Sequence, residues 1–206
     1  MNSKKAIEKY LREKLVINTQ DAQKILGSRM AITRLVEKEV IERVDGAGKM
    51  GLYCLPETNT EAMGFAALSH YYSECVVSGI TCLRILGLGQ DYIDKIHVDI
   101  PYPKNMKNDL FEVHRVSPEK INHVMVKSFE DRGIVFPIKI YSPERALFEA
   151  YKYYGGTDAF YRVIKRYSSM YLDRKSPAKA YETIREINKT IGSKILSLLV
   201  LGDVNE

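Results

Sequence analysis

Five residues near the N-terminus have side chains suited to contact with a double-stranded nucleic acid: Arg29, Thr33, Arg34, Lys38 and Lys49. The first four fall at helical spacing, one turn apart in two pairs. A guanidinium can donate two parallel hydrogen bonds to a guanine edge, whereas a lysine ammonium more naturally meets a phosphate. Thr33 can serve either a base or a phosphate. The alternative is that all five are ordinary solvated surface residues.

Catalytic chemistry has less support. The chain has four histidines, His70, His97, His114 and His123. They never fall at metal-ligand spacing on one predicted element, and no G-x-S-x-G or nucleophilic cysteine motif is present. Asp99, Asp109 and Glu112 on neighbouring strands could serve a metal-dependent nuclease, but scattered carboxylates are common in a chain of 206 residues. We therefore expect no enzyme, no metal and no cofactor, with a nuclease as the weakest alternative.

Residues 46–51, GAGKMG, match the G-x-G-x-x-G pattern. A dinucleotide site needs this pattern to open a helix whose N-terminus holds the pyrophosphate, but here the chain continues into the strand-like residues 52–55 and Pro56. A kinase glycine loop does lie in a hairpin, yet the sequence contains no Asp-Phe-Gly. The pattern therefore indicates a turn between two strands.

The candidate contact residues need elements that hold them, and apolar periodicity predicts three short helices. The first covers about residues 4–15, behind Ser3 as its N-cap. The second is capped by Asn18 or Thr19 and ends at Gly27.

The third predicted helix follows at once, with Ser28 as its cap. Its apolar residues Ile32, Leu35 and Val36 should face inward. The opposite face would then present the side chains of Arg29, Met30, Thr33, Arg34 and Lys38. We expect this to be the recognition helix of a helix-turn-helix.

Two β-prone runs, residues 40–44 and 51–55, flank a glycine-rich turn and predict a hairpin. Helices followed by a hairpin within residues 1–56 predict a winged helix-turn-helix, the hairpin being the wing. Lys49 at its tip is placed for the adjacent DNA backbone or minor groove.

Charge supports a polyanion-binding N-terminus. Residues 1–56 contain 11 Lys and Arg against 7 Asp and Glu, a net charge of +4, whereas the other 150 residues contain 20 against 19. The three cysteines form no C-x-x-C pair, which predicts buried thiols rather than disulfides or zinc ligands. No apolar run is long enough to span a membrane, so we expect a cytoplasmic protein.

The remaining residues, 57–206, are expected to form a second domain of mixed α+β type that ends in a helical segment. Helices are predicted at 60–73 and 79–87, and a further helix begins at Pro143 behind Ser142. Four strands are predicted between them, at residues 95–100, 111–116, 124–129 and 134–141, with Pro137 indicating an edge or bulge. Two or three more helices should fill the chain from Asp158 to Leu201. The predicted fold class is thus α+β.

Several segments together resemble the AbiEi antitoxin family of type IV toxin-antitoxin systems. They are NTQDAQKILG (18–27), TRLVEKEVI (33–41), GLYCLPE (51–57), VVSG to LGL (76–88), IHVDIP (96–101), FEVHRV (111–116) and IVFPIKIYSPERALFEAYKYYGG (134–156). Their order along one chain carries the resemblance, which weakens beyond Asp158.

The resemblance implies a winged-helix protein that represses its own operon by binding inverted repeats in the promoter. It also implies an abortive-infection antitoxin that counteracts a nucleotidyltransferase-like toxin without a stable complex. The alternative is an orphan winged-helix regulator whose second domain senses a ligand or oligomerises.

Overall fold

A computed structural model describes residues 3–44, 51–91, 94–172 and 177–203, and over these ranges the protein is a mixed α+β structure with two β-sheets. In the N-terminal segment, the described residues 3–44 and 51–55 form three helices and three short strands. Its elements are α1 (Ser3–Lys14), β1 (Ile17–Asn18), α2 (Thr19–Leu26), α3 (Arg29–Glu37), β2 (Glu42–Val44) and β3 (Leu52–Cys54).

Side-chain caps and one glycine set the boundaries between α2 and α3. Oδ1 of Asn18 accepts a hydrogen bond from the backbone N–H of Asp21 at 2.8 Å, so Asn18 is the N-cap of α2. Gly27 ends α2 with a φ of 82°, a left-handed conformation that glycine adopts without steric cost. Oγ of Ser28 accepts from the N–H of Ala31 at 3.2 Å and starts α3. The predicted helix boundaries at these residues are confirmed.

The strands of this segment form an antiparallel sheet in the order β1-β3-β2. Ile17 pairs with Tyr53, and Val44 pairs with Leu52. The hairpin prediction is confirmed for its two strands, and Gly51 leads into a strand rather than a helix. Strand β1 was not predicted, because two residues carry no periodicity to detect.

The described residues after this segment form a five-stranded sheet flanked by helices. Its elements are α4 (Thr60–Tyr71), β4 (Val76–Val77), α5 (Gly79–Ile85), β5 (Ile96–Pro101), β6 (Phe111–Val116), β7 (Val124–Asp131), β8 (Ile134–Tyr141), α6 (Pro143–Tyr154), α7 (Asp158–Tyr167), α8 (Pro177–Ile187) and α9 (Lys189–Asp203). A 3₁₀ turn precedes β7, and a π-helical turn follows α7. The α+β class and the predicted helices and strands of this part are confirmed.

The strand order of this sheet is β6-β5-β4-β8-β7. Strands β5 and β6 are parallel, as are β4 and β8, while the other two pairs are antiparallel. Strand β4 was not predicted. It pairs with β8 only at Val77 and Ile140, so Pro137 lies where β8 has a partner on one side alone.

Two clusters of buried side chains hold these elements together. The smaller lies within the N-terminal segment and contains Ile7, Leu11, Ile17, Ala22, Ile32, Ile41 and Leu55. The larger fills the second sheet and its helices, but it also includes residues of the N-terminal segment such as Val16, Val44 and Leu52. The backbone N–H of Asn18 donates to the hydroxyl of Tyr71 on α4, 3.2 Å away. The N-terminal segment therefore packs closely against the rest of the chain.

All three cysteines are buried and free, as the sequence predicted. Burial raises the pKa of Cys54 to about 11 and the pKa values of Cys75 and Cys82 to about 12, so these thiols stay protonated near neutral pH. Within the described ranges, no helix combines the length and apolar character that a membrane crossing requires.

Candidate nucleic-acid interface

The surface of α3 separates buried from exposed residues. Ile32 is 2% exposed and packs into the smaller cluster, while Leu35 and Val36 are half-buried at its edge. The inward face predicted from the sequence is therefore correct in direction, but only Ile32 is fully buried. Three polar residues predicted to contact DNA, Arg29, Thr33 and Arg34, are exposed on α3, and so is Lys38 at its C-cap.

The four polar residues form two columns along the exposed face. Arg29 and Thr33 lie one turn apart, and Arg34 and Lys38 form the second pair. A nine-residue helix is about 14 Å long at 1.5 Å per residue, and its diameter suits a major groove about 12 Å wide. The arrangement can present two guanidinium groups to base edges and an ammonium to the backbone.

Among the described residues, no carboxylate forms a close ion pair with the basic residues of α3 and its C-cap. Elsewhere in the segment lysines pair with acids: Lys4–Glu8 at 3.8 Å, Lys9–Glu13 at 3.9 Å and Lys24–Asp21 at 2.7 Å. The hydrogen bond from Lys24 to Asp21 also raises the pKa of that lysine. By contrast, Arg29, Arg34 and Lys38 form no ion pair with any residue that the structure describes. Their charges remain available to an anionic partner.

The centre of this face is occupied by Met30 and Glu37, which were not among the predicted contact residues. Met30 and Glu37 are seven residues apart, which is nearly two full turns, so their side chains leave the helix in nearly the same direction. That direction lies between the two columns. Met30 is 66% exposed, unusually high for a large apolar side chain, and Glu37 is exposed as well. In a groove, a methionine can contact a thymine methyl and a glutamate can accept from a cytosine amine. Helical periodicity already places both residues on this face.

The predicted contact residue Lys49 lies outside the described residues, as does the rest of the turn at 45–50. The preceding strand adds a basic residue that sequence reasoning missed. Arg43 on β2 is exposed and pairs in register with Tyr53 on β3, while the next residue, Val44, is buried. The alternation of charged Arg43 with apolar Val44 is the sequence pattern that could have predicted an exposed side chain at position 43.

The carboxylates considered for a nuclease do not form a common site. Asp99 is 5% exposed and accepts a hydrogen bond from the hydroxyl of Tyr141 at 2.7 Å. Asp109 and Glu112 are exposed instead. Among the described residues, no three His, Cys, Asp or Glu side chains are grouped so that they could hold a metal ion.

No protein-family model matches this chain, and no curated protein matches it. The resemblance to the AbiEi family therefore rests on the sequence segments quoted above.

Proposed function

We propose that the protein is a transcriptional repressor whose N-terminal segment is a winged helix-turn-helix that binds double-stranded DNA. The observation that carries the proposal is the exposed face of α3. There Arg29, Arg34 and Lys38 present positive charges that form no ion pair with any described carboxylate.

The order of elements supports the same function. Only Gly27 and Ser28 separate α2 from α3, a turn length typical of a helix-turn-helix. The β2–β3 hairpin follows α3 directly, in the position of a wing. In this arrangement α3 lies in the major groove, and the hairpin, with Arg43 and Lys49, approaches the neighbouring backbone or minor groove.

The resemblance to the AbiEi family supports the biological role. We propose that the protein acts in the cytoplasm as the antitoxin of a type IV system, binds inverted repeats in its own promoter and counteracts a nucleotidyltransferase-like toxin. Residues 57–206 would then be the antitoxin-type domain. The toxin is a functional partner rather than a stably bound one.

One observation favours the orphan-regulator alternative. A cleft of about 770 Å³ lies beside α4, α5 and β5, and charged residues including Glu61, Arg84 and Asp109 line part of it. A cleft of this size fits a small ligand. Under this alternative the second domain senses that ligand and DNA binding changes when it is bound.

The test uses the full-length protein, its own promoter duplex and a scrambled duplex of equal length. Wild type should bind the promoter more tightly, and a variant with Arg29→Ala and Arg34→Ala should lose this preference. The matched control is the double variant Arg162→Ala and Arg185→Ala, which removes two arginines from exposed positions on α7 and α8. Unchanged promoter binding by the α3 variant, or equal loss in the control, would contradict the proposal.

The antitoxin role is tested by growth. Co-expression of the protein with the product of the adjacent gene should rescue cells from that toxin. Failure of rescue by a protein that still binds its promoter would leave a regulator and exclude the antitoxin.

A further inference from the structure

Three side chains from different elements meet on one face of the second sheet. They are His97 on β5, His114 on β6 and Tyr153 in the last turn of α6. Nδ1 of His97 lies 3.4 Å from Nε2 of His114. Oη of Tyr153 lies 3.4 Å from the first nitrogen and 3.5 Å from the second. The three polar atoms therefore form a nearly equilateral triangle.

These distances are long for hydrogen bonds but right for ligands of one metal ion. Hydrogen bonds between such atoms have optimal lengths of about 2.7–3.0 Å. In a tetrahedral zinc site with bonds of about 2.0–2.1 Å, neighbouring ligand atoms lie about 3.3–3.4 Å apart. The triangle thus has the dimensions of one face of a tetrahedral coordination sphere.

We propose that Nδ1 of His97, Nε2 of His114 and Oη of Tyr153 bind a Zn²⁺ ion, with a water molecule as its fourth ligand. Histidine spacing along the sequence could not reveal such a site, because each ligand comes from a different element. Two imidazoles and an oxygen donor are a ligand set that suits zinc. All three side chains are half-buried, so an ion and a water can reach them from solvent.

A glycine in the neighbouring backbone leaves space beside the atoms of the triangle. Gly79 has a φ of 53°, and a Cβ atom there would lie 3.0 Å from Nδ1 of His97 and 3.1 Å from Oη of Tyr153. Any side chain at this position would press on two of the three ligand atoms. The backbone of His97 is held on both sides, donating to Oγ1 of Thr81 at 2.9 Å and accepting from the N–H of Ser78 at 2.9 Å. Such anchoring lowers the entropy cost of ordering a ligand.

The charges around the triangle also favour a cation. Burial, followed by the neighbouring His114, lowers the pKa of His97. Burial and the carboxylates of Glu149, Asp99 and Glu112 raise the pKa of Tyr153 to about 12. These carboxylates create a negative electrostatic potential. It disfavours a phenolate when no metal is bound, and it attracts a divalent cation.

Positive groups near the triangle only partly offset these carboxylates. Arg145 is paired with Glu149 at 2.8 Å, and Nζ of Lys152 lies 5.3 Å from the ring centroid of Tyr153. Binding would form two nitrogen–zinc bonds and two oxygen–zinc bonds, one to the phenolate of Tyr153 and one to the water. The phenol proton leaves to solvent, so the phenolate offsets one of the two charges of the ion.

The test uses the full-length protein freed of metal with a chelator, then titrated calorimetrically with Zn²⁺ alone. Wild type should bind one Zn²⁺ per chain. His114→Gln and Tyr153→Phe should each weaken binding by about 100-fold or more, since losing even an outer partner of a ligand costs about 10- to 100-fold. Titration with Co²⁺ should give a tetrahedral visible spectrum in wild type, and Tyr153→Phe should change it.

Matched controls remove the same groups from neighbouring positions. Tyr154→Phe deletes the adjacent phenol, whose hydroxyl donates to Asp91 instead. His123→Asn deletes an imidazole at a left-handed position, φ 52°, that asparagine tolerates. Both should bind Zn²⁺ like wild type. Thermal melts without metal establish that every variant is folded. Wild-type binding no tighter than that of His114→Gln, or an unchanged affinity in Tyr153→Phe, would overturn the proposal.

Discussion

The hydroxyl of Thr33 donates a hydrogen bond to the carbonyl oxygen of Arg29, 3.3 Å away and one turn earlier on α3. A threonine hydroxyl has one donor and two acceptor lone pairs. Because the donor is used within the helix, only the lone pairs face outward. A phosphate oxygen has no hydrogen to offer them, whereas an adenine or cytosine amine does.

Thr33→Val should therefore weaken binding to the operator but leave binding to random DNA unchanged. The change keeps the shape of the side chain and removes its acceptor, so we expect a loss of about 0.5–1.5 kcal/mol for the operator alone. Fluorescence anisotropy with the two duplexes measures both values. An equal loss on random DNA would show that the hydroxyl contacts phosphate.

Replacing Arg29 or Arg34 with Ala should cost about 1–3 kcal/mol of operator binding, because each loses a bidentate contact to a guanine. Discrimination should relax at one base position for each variant. Binding to a set of operators with single base changes measures this. Arg162→Ala, at an exposed position of α7, is the control. A uniform loss over all the operators would assign the arginine to the phosphate backbone.

Lys38→Ala and Lys49→Ala should weaken operator and random DNA alike, because phosphate contacts carry no sequence information. Each should lower the slope of log affinity against log salt by about one unit. Binding curves at several salt concentrations give that slope. A lysine whose removal leaves the slope unchanged does not touch the backbone.

Ile32→Ala should destabilise the protein by about 2–5 kcal/mol, since its side chain is 2% exposed in the smaller cluster. Leu35→Ala should cost less, because Leu35 is only half-buried. Denaturant unfolding compares the two. A larger decrease in the free energy of unfolding for Leu35→Ala would contradict this, because residues at the edge of the cluster would then contribute more to stability than those at its centre.

Mild acid should destabilise the protein through His70 on α4. Burial and the charge of Lys14 lower the pKa of His70 below its ordinary value of 6.5, and its buried Nε2 has no hydrogen-bond partner in the described structure. Below about pH 6.5 the unfolded chain therefore binds more protons than the folded one. The free energy of unfolding then decreases as the pH is lowered. Thermal melts between about pH 7.5 and 5 should show a smaller decrease for His70→Gln than for wild type. Equal decreases in the two proteins would contradict this.

Much of the local structure was predictable because short-range signals determine it. Asn18, Gly27 and Ser28 mark the ends of α2 and α3 through caps and backbone conformation that involve only neighbouring residues. The spacing of Ile32 against Arg29 and Arg34 likewise assigns the two faces of α3.

Only the tertiary structure decided which distant residues meet. Strand β4 is too short for any periodicity, yet it lies at the centre of the sheet because β5 and β8 pair on either side of it. His97 and His114 are brought together by the parallel pairing of β5 and β6, and Tyr153 by the packing of α6. The sequence determined the helices, their caps and the charged face of α3, since those depend on residues within one or two turns. Strand order and the His97–His114–Tyr153 triangle depend on which surfaces bury each other, and that is settled only when the whole chain packs.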